Sequence, residues 1–322
     1  MSNHPRTDVE VSMKRLAILT IILLVLPSAA MAVGFAKVGT FGAQFLQIGT
    51  TARATGMGSA FTGVADDATA VFWNPGGLVN VRKNEFNLNH VQWPADTKLT
   101  SVVLAFNPRS IPGTFALSAR SFWLDPMLVR TAYEPEGNGQ TFDAGSASFG
   151  LTYARFFTDR FSAGATINYL HLGLAEQSVN SASFDFGVMY RIGIRDLKLG
   201  MVIQHLGGKI TFDELPAKLP TTFKVGASFY LIKANKQKFL ITGEFQHPAD
   251  NLERANVGAE YNLNNLFFGR VGYNIGYDTD KLAFGFGVAI STGQTSAIRF
   301  DYSAVDMGPL QYVHRISLTV DY

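Results

Sequence analysis

Through most of this chain, side chains alternate with a period of two. Between Ser146 and Phe156, Ala147, Phe149, Leu151 and Tyr153 fall on one face, and Ser146, Ser148, Gly150, Thr152 and Ala154 fall on the other. From Ser183 to Ile192 the apolar face is Phe184, Phe186, Val188, Tyr190 and Ile192, set against Ser183, Asp185, Gly187 and Arg191. From Leu282 to Ile290 the same rhythm sets Leu282, Phe284, Phe286, Val288 and Ile290 against Ala283, Gly285, Gly287 and Ala289. A β-strand separates its two faces with this period. In a soluble sandwich the outward face would be charged. Here the second face is Gly, Ser, Thr and Ala with scattered charges, which suits a narrow or filled lumen and leaves the apolar face for lipid. Fourteen such segments start near Asn84, Lys98, Gly113, Ala144, Phe161, Ser181, Leu197, Thr221, Lys238, Arg254, Leu266, Lys281, Ser296 and Gln311. An even number of alternating segments of about 10 residues is the pattern of a bacterial membrane barrel. The predicted fold is therefore all-β, a 14-stranded antiparallel transmembrane β-barrel.

Composition agrees and removes other classes. Charged residues make up 16% of the 322 and hydrophobic ones 47%, against about 25% charged in an average soluble domain. Lys+Arg 27 against Asp+Glu 25 is too balanced for a nucleic-acid binder working through a broad basic field. Cys 0 excludes a disulfide scaffold, thiolate metal sites and cysteine nucleophiles. At the start, Lys14 and Arg15 precede the apolar run Leu16–Leu26, and Ala30-Met31-Ala32 closes it. That is the layout of a cleavable signal peptide over 1–32, with Met13 read as the true start. The connections after every second strand are short, such as Thr158-Asp159-Arg160, while Asp125–Asp143 and Gly207–Pro220 between them are long. Barrels place short turns on the periplasmic side and long loops outside. At the C-terminus Ile316, Leu318, Val320 and Tyr322 alternate with Ser317, Thr319 and Asp321, ending on an aromatic. Trp93, Trp123, Phe156 and Phe157 stand near strand ends, where girdle residues are expected. The mature chain divides into a segment 33–80 and a barrel over 81–322.

The segment 33–80 is too long for a lead-in to a strand and is rich in Gly, Ala and Thr. Small side chains would let it pack inside the lumen. It holds Gly56-Met57-Gly58, Asp66 and Asp67, and the turn Asn74-Pro75-Gly76-Gly77-Leu78. Together with Ala43–Gly58 upstream, these residues resemble the opening of the PorV/PorQ family of outer-membrane proteins. That family belongs to the broader FadL-like group of 14-stranded barrels. The match covers about residues 40–80. It departs at Gly76, where alanine is more usual. The resemblance implies that 33–80 is a hatch inside the lumen, and that the protein sits in the bacterial outer membrane among its lipid. It also implies a component associated with type IX secretion, binding secreted proteins. The alternative is FadL-like passive transport of long-chain fatty acids or other hydrophobic small molecules. By its own chemistry the Asn-Pro-Gly run is a tight turn. Asp66 and Asp67 would hold a cation or pair with lumen arginines, with pairing favoured because a charge at membrane depth needs a partner.

Signatures of catalysis are weak. His4, His90, His171, His205, His247 and His314 lack metal-ligand spacing. His171 and His314 share the outward phase of their strands, but no Ser or Asn partner stands out beside them. The chain is read as a non-enzyme without metal, cofactor or nucleic-acid partner. Charges on the lumen phase are Arg120, Asp185, Arg191, Lys224, Glu244, Glu260, Arg299 and Asp301. Both signs occur, as in a salt-bridged network locking the hatch. For an apolar ligand pocket the candidates are Phe212, Leu215 and Leu219, in the loop Gly207–Pro220.

Overall fold

A computed structural model describes residues 40–108, 110–212, 215–291 and 296–322. The expected signal peptide lies outside these residues. Fourteen strands close into one antiparallel barrel. They are Glu85–Trp93 (β1), Thr97–Phe106 (β2), Thr114–Trp123 (β3), Ala144–Phe156 (β4), Phe161–Leu174 (β5), Gln177–Ile192 (β6) and Leu197–Gly207 (β7). The second half comprises Thr222–Lys233 (β8), Gln237–Pro248 (β9), Arg254–Leu263 (β10), Phe267–Ile275 (β11), Leu282–Ser291 (β12), Ala297–Asp306 (β13) and Tyr312–Asp321 (β14). Each strand pairs with its sequence neighbours, and β1 closes on β14 from Glu85↔Asp321 to Gln92↔His314. The long connections after β3 and β7 emerge at the end opposite Glu85 and Asp321 (here the loop end), and each carries its own two-stranded ladder.

The alternation read from the sequence is the alternation of the wall. Phe149, Ile167, Phe300 and Ile316 are each more than half exposed on the outside, while Ser148, Thr166, Asp301 and Ser317 on the opposite phase are buried. The sixth strand begins at Gln177 rather than near Ser181. Gln177–Asn180 keep pairing with His171–Leu174 around a tight turn at Ala175, so a polar extension lengthens the hairpin beyond its apolar part. Trp93 is a correction. It follows the inward phase of β1 and packs toward Val91, Leu99 and Val313, so it belongs to the lumen and not to the outer girdle.

Inside the barrel lies the hatch. From Gln44 it forms a 3-10 turn Gln44–Gln47, a short helix Ala52–Gly56 (α1), a second helix Ala70–Trp73 (α2) and a 3-10 turn Pro75–Asn80. Helix α2 stops at Asn74, which is extended (φ −158°) and whose side-chain oxygen accepts the Gly76 N–H at 3.0 Å. Pro75 then starts the next turn, where a missing N–H costs nothing. With so little regular structure, the hatch backbone must find its hydrogen-bond partners elsewhere. The inward hydroxyls and amides of the wall supply them. Ser228 and Thr242 donate to the carbonyls of Gly63 and Ala60 at 2.7 and 2.9 Å, and Asn256 donates to that of Gly58 at 2.6 Å. This is why the second face of the strands is small and polar: it touches a backbone. The fit is tightest at Gly58 (φ +63°), where a Cβ on Gly272 would overlap the Gly58 nitrogen.

A Gly272→Val substitution should accordingly force the hatch off β11 and lower the temperature at which the folded gel band converts to the unfolded one. The expected cost is about 1–3 kcal/mol or more. Tyr273→Phe, on the outward phase, should leave that temperature unchanged.

Candidate functional site

The lumen has two layers with opposite electrostatic character. Toward the end that holds Glu85 and Asp321, arginines and carboxylates join in one network. Arg53 of α1 reaches Asp66 and Asp67 at 2.7 Å each and Glu260 of β10 at 3.1 Å. Arg270 of β11 binds Glu260 at 2.6 Å and Asp301 at 2.7 Å. Arg299 bridges Asp301 at 2.8 Å and Asp67 at 3.2 Å. Glu260 is thus a shared acceptor for one cation on the hatch and one on the wall. Lys198 adds a contact to Asp66 at 3.5 Å. The hatch's own N–H groups join in: Phe61 and Thr62 donate to Glu244 at 3.1 and 2.8 Å, and Ala68 donates to Glu85 at 2.9 Å.

Asn74 completes the attachment. Its side-chain nitrogen donates to Thr62 within the hatch at 2.9 Å and to Val188 of β6 at 3.1 Å. Ser162 of β5 donates to the Gly76 carbonyl at 2.8 Å, and Gly187 leaves space for Asn74 and Pro75. Gly56 approaches the backbone of Gly285 in the same manner.

On the loop-end side of the hatch lies a cavity of about 460 Å³. Its floor includes Phe72 and Trp73 of α2, and its wall includes Trp93, Phe122 and Tyr277. Four cations line it: Arg120 of β3, Lys224 of β8, Arg254 of β10 and Arg315 of β14. Each stands over a ring, with Arg120 4.2 Å from Phe72, Arg254 4.5 Å from Tyr277, Lys224 5.5 Å from Trp73 and Arg315 5.6 Å from Trp93. Among the described residues none of the four forms an ion pair. Arg120 donates to the Leu46 carbonyl at 3.0 Å and Arg315 to the Gly49 carbonyl at 2.8 Å. Asp278 and Asp280, between β11 and β12, lie at the cavity's edge, and burial holds the Asp280 carboxyl above the usual carboxylate range.

The sequence-derived charges therefore divide three ways. Glu260, Arg299 and Asp301 enter the ion network. Asp185 and Glu244 serve as hydrogen-bond acceptors, and Arg191 meets Asn80 and stands over Phe156. Arg120 and Lys224 face the cavity. Phe212 and Leu219 do not line it: they pack with Ile210 against Phe45 and Leu46, covering the first hatch turn. The Leu215 side chain lies outside the described residues. Arg53, Arg270, Arg254 and Arg315 were missed as candidates, although the three wall arginines sit on the inward phase and could have been found by it. Trp73 gave no such signal. On the outer surface, His171 Nδ1 does pair with Asn180 across strands at 2.8 Å, and His314 Nδ1 with the Tyr302 hydroxyl at 2.7 Å. Tyr169 and Gly173, next to His171 on its outward phase, bring no aliphatic hydroxyl.

No family profile matches the sequence, and no curated protein matches it. Solved structures do. The toluene transporter TbuX of Ralstonia pickettii superposes with a TM-score of 0.55 at 14% identity, covering 84% of this chain and 97% of that one. The CymD monoaromatic hydrocarbon channel gives 0.57 at 11%, covering 88% and 99%. A Pseudomonas aeruginosa FadL homologue gives 0.52 at 11%, covering 85% and 98%. The fold is that of the FadL-like outer-membrane barrels. At these identities the likeness is one of architecture.

Glu260→Gln leaves Arg53 and Arg270 facing each other without their shared carboxylate. Breaking a buried pair in this way costs about 3–5 kcal/mol, so thermal unfolding should fall clearly. Lys233→Ala, which removes the exposed pair with Asp196, should cost under about 1 kcal/mol.

Proposed function

We propose that this protein is a passive conduit in the outer membrane for small organic molecules with an apolar body. The observation that carries this reading is the ring-lined cavity resting on a hatch that blocks the direct route through the lumen. A toluene transporter and a monoaromatic hydrocarbon channel share the architecture, which supports it. A ligand would enter from the loop end and settle over Phe72 and Trp73. With the floor keyed into the wall, the way out runs through the side. The wall is irregular beside the cavity: pairing of β6 with β7 shifts register between Phe184 and Phe186, and His205 takes a left-handed φ of 58°. The Asp185 carboxylate spans that bulge, accepting the His205 N–H at 2.6 Å and the Asn168 amide at 2.9 Å. Loosening this latch is the proposed exit step.

A second reading, binding of secreted proteins in association with type IX secretion, is supported by the PorV/PorQ-like hatch residues Asn74, Pro75 and Asp66–Asp67. It assigns the loops after β3 and β7 to protein contact and gives the cavity no role.

Cells lacking other hydrophobic-compound carriers, with and without this barrel, should be compared for initial uptake of a labelled panel of small aromatic compounds, neutral and acidic, with the fastest member deciding. Several-fold faster uptake with the barrel, and a slower rate in a variant whose β6 and β7 are cross-linked at the bulge, are expected. Equal uptake in all three, together with secreted proteins retained on the purified barrel, would reverse the order of the two readings.

A further inference from the structure

The two layers of the lumen treat arginine differently, and the difference points to a ligand. In the hatch network Arg53, Arg270 and Arg299 each contact two or three carboxylate groups. Around the cavity Arg120, Lys224, Arg254 and Arg315 contact none within ion-pair distance. Of the carboxylates around them, Asp185 holds the His205 N–H and Asn168, Glu244 holds the hatch N–H groups of Phe61 and Thr62, and Asp278 and Asp280 stand at the cavity's edge without forming an ion pair with any of the four. Arg120 and Arg315 are only 5% and 4% exposed. Arg120 Nε, Arg254 Nε and Arg315 Nη1 are buried without a hydrogen-bond partner. Leaving a charge buried without a carboxylate in reach is costly, and two such arginines beside the half-buried Lys224 and Arg254 are a costly arrangement for a wall whose purpose is only to stand. The rings beneath the cations stabilise them in part, but they are neutral.

We propose that the cavity is a binding site for an aromatic carboxylate carrying hydroxyl groups. The anion supplies the charge that the cations lack. Its ring lies against Trp73 and Trp93, and its hydroxyls meet the amides Gln204, Gln246 and Asn274, all of which line the cavity. Asn274 Oδ1 and Thr50 Oγ1, both on lining residues, are buried without a partner in the protein. A neutral hydrocarbon would leave the four charges as they are. A long alkyl chain would press against the side-chain amides, displacing their hydration without return. A volume of about 460 Å³ suits a compact one- or two-ring acid, within the range of small-molecule sites. The proposal rests on the reading of the barrel as a conduit for small molecules and names the kind it takes.

The test is binding to the full barrel purified in detergent at low salt, followed by tryptophan fluorescence and calorimetry, with 4-hydroxybenzoate, toluene and dodecanoate as probes. 4-Hydroxybenzoate should bind at least about tenfold more tightly than either comparator. Arg120→Gln and Lys224→Met should each weaken it about tenfold or more, as loss of a charged hydrogen-bond partner does. Because the Lys224 side chain makes no hydrogen bond or ion pair among the described residues, Lys224→Met should not melt lower than the parent, whereas the exposed Lys233→Gln should leave affinity unchanged. Tighter binding of toluene, insensitive to both variants, would overturn the proposal in favour of an apolar site, and tighter binding of dodecanoate in favour of an alkyl acid. Binding without any uptake would retain the site and sink the conduit; toluene uptake without binding of 4-hydroxybenzoate would do the opposite.

Discussion

A buried carboxylate, Glu260, accepts from Arg53 on the hatch and from Arg270 on the wall at the same time. Each cation needs that charge, because both arginines are buried away from bulk water. Asp67 and Asp301 extend the arrangement through Arg299, so that hatch and wall share one set of charges. The hatch cannot leave without separating opposite charges at low dielectric. The small side chains of β11 and β12 follow from the same constraint: a backbone drawn this close to the wall leaves room for glycine at 272 and 285. The Ser, Thr and Asn residues of the inward face follow too, since they pair the backbone groups of a segment whose own regular structure is two short helices and two 3-10 turns.

Fixing the hatch at one level divides the lumen. Below, the network arginines and carboxylates close on one another beside a polar cavity of about 330 Å³. Above, the hatch presents Phe72 and Trp73 upward, and the wall surrounds them with cations that stand over rings and form no ion pair among the described residues. The barrel is thus closed along its axis and open at one end. Its irregular seam between β6 and β7 touches the open part, and Gln204 and His205 border both. Closed axis, open cup and lateral seam together make a route that bends through the wall.

Much of this was legible from alternation, because lipid and lumen impose opposite demands on successive side chains. Strand starts agree with the pattern to within a residue except for the sixth, where Ser178 and Asn180 are too polar to register as wall. The filled lumen was legible from Gly285, Gly287 and Ala283, since a water-filled channel would not need such small residues. What the pattern could not give was height. Arg120 and Arg299 share the inward phase, yet one faces the cavity and the other joins the ion network, a distinction made by how far along its strand each lies relative to the hatch. Trp93 looked like a girdle residue because it ends a strand, but its parity points inward. Apolarity singles out Phe212 and Leu219 in their loop without saying what they face, and the fold packs them on Phe45 and Leu46. Trp73, in a segment without period, could be placed only by tertiary structure.

The most direct measurement is amide hydrogen exchange across residues 52–80 in the purified barrel, read against the strands that surround them. A hatch keyed into the wall by Glu260, Glu244 and Asn74 should exchange as slowly as β10 and β11, with Phe61, Thr62 and Ala68 among its best-protected amides. Exchange of the whole segment on the timescale of the exposed loops, with the strands still protected, would mean that the floor is not fixed. The division of the lumen into a closed layer and an open cavity would then be wrong.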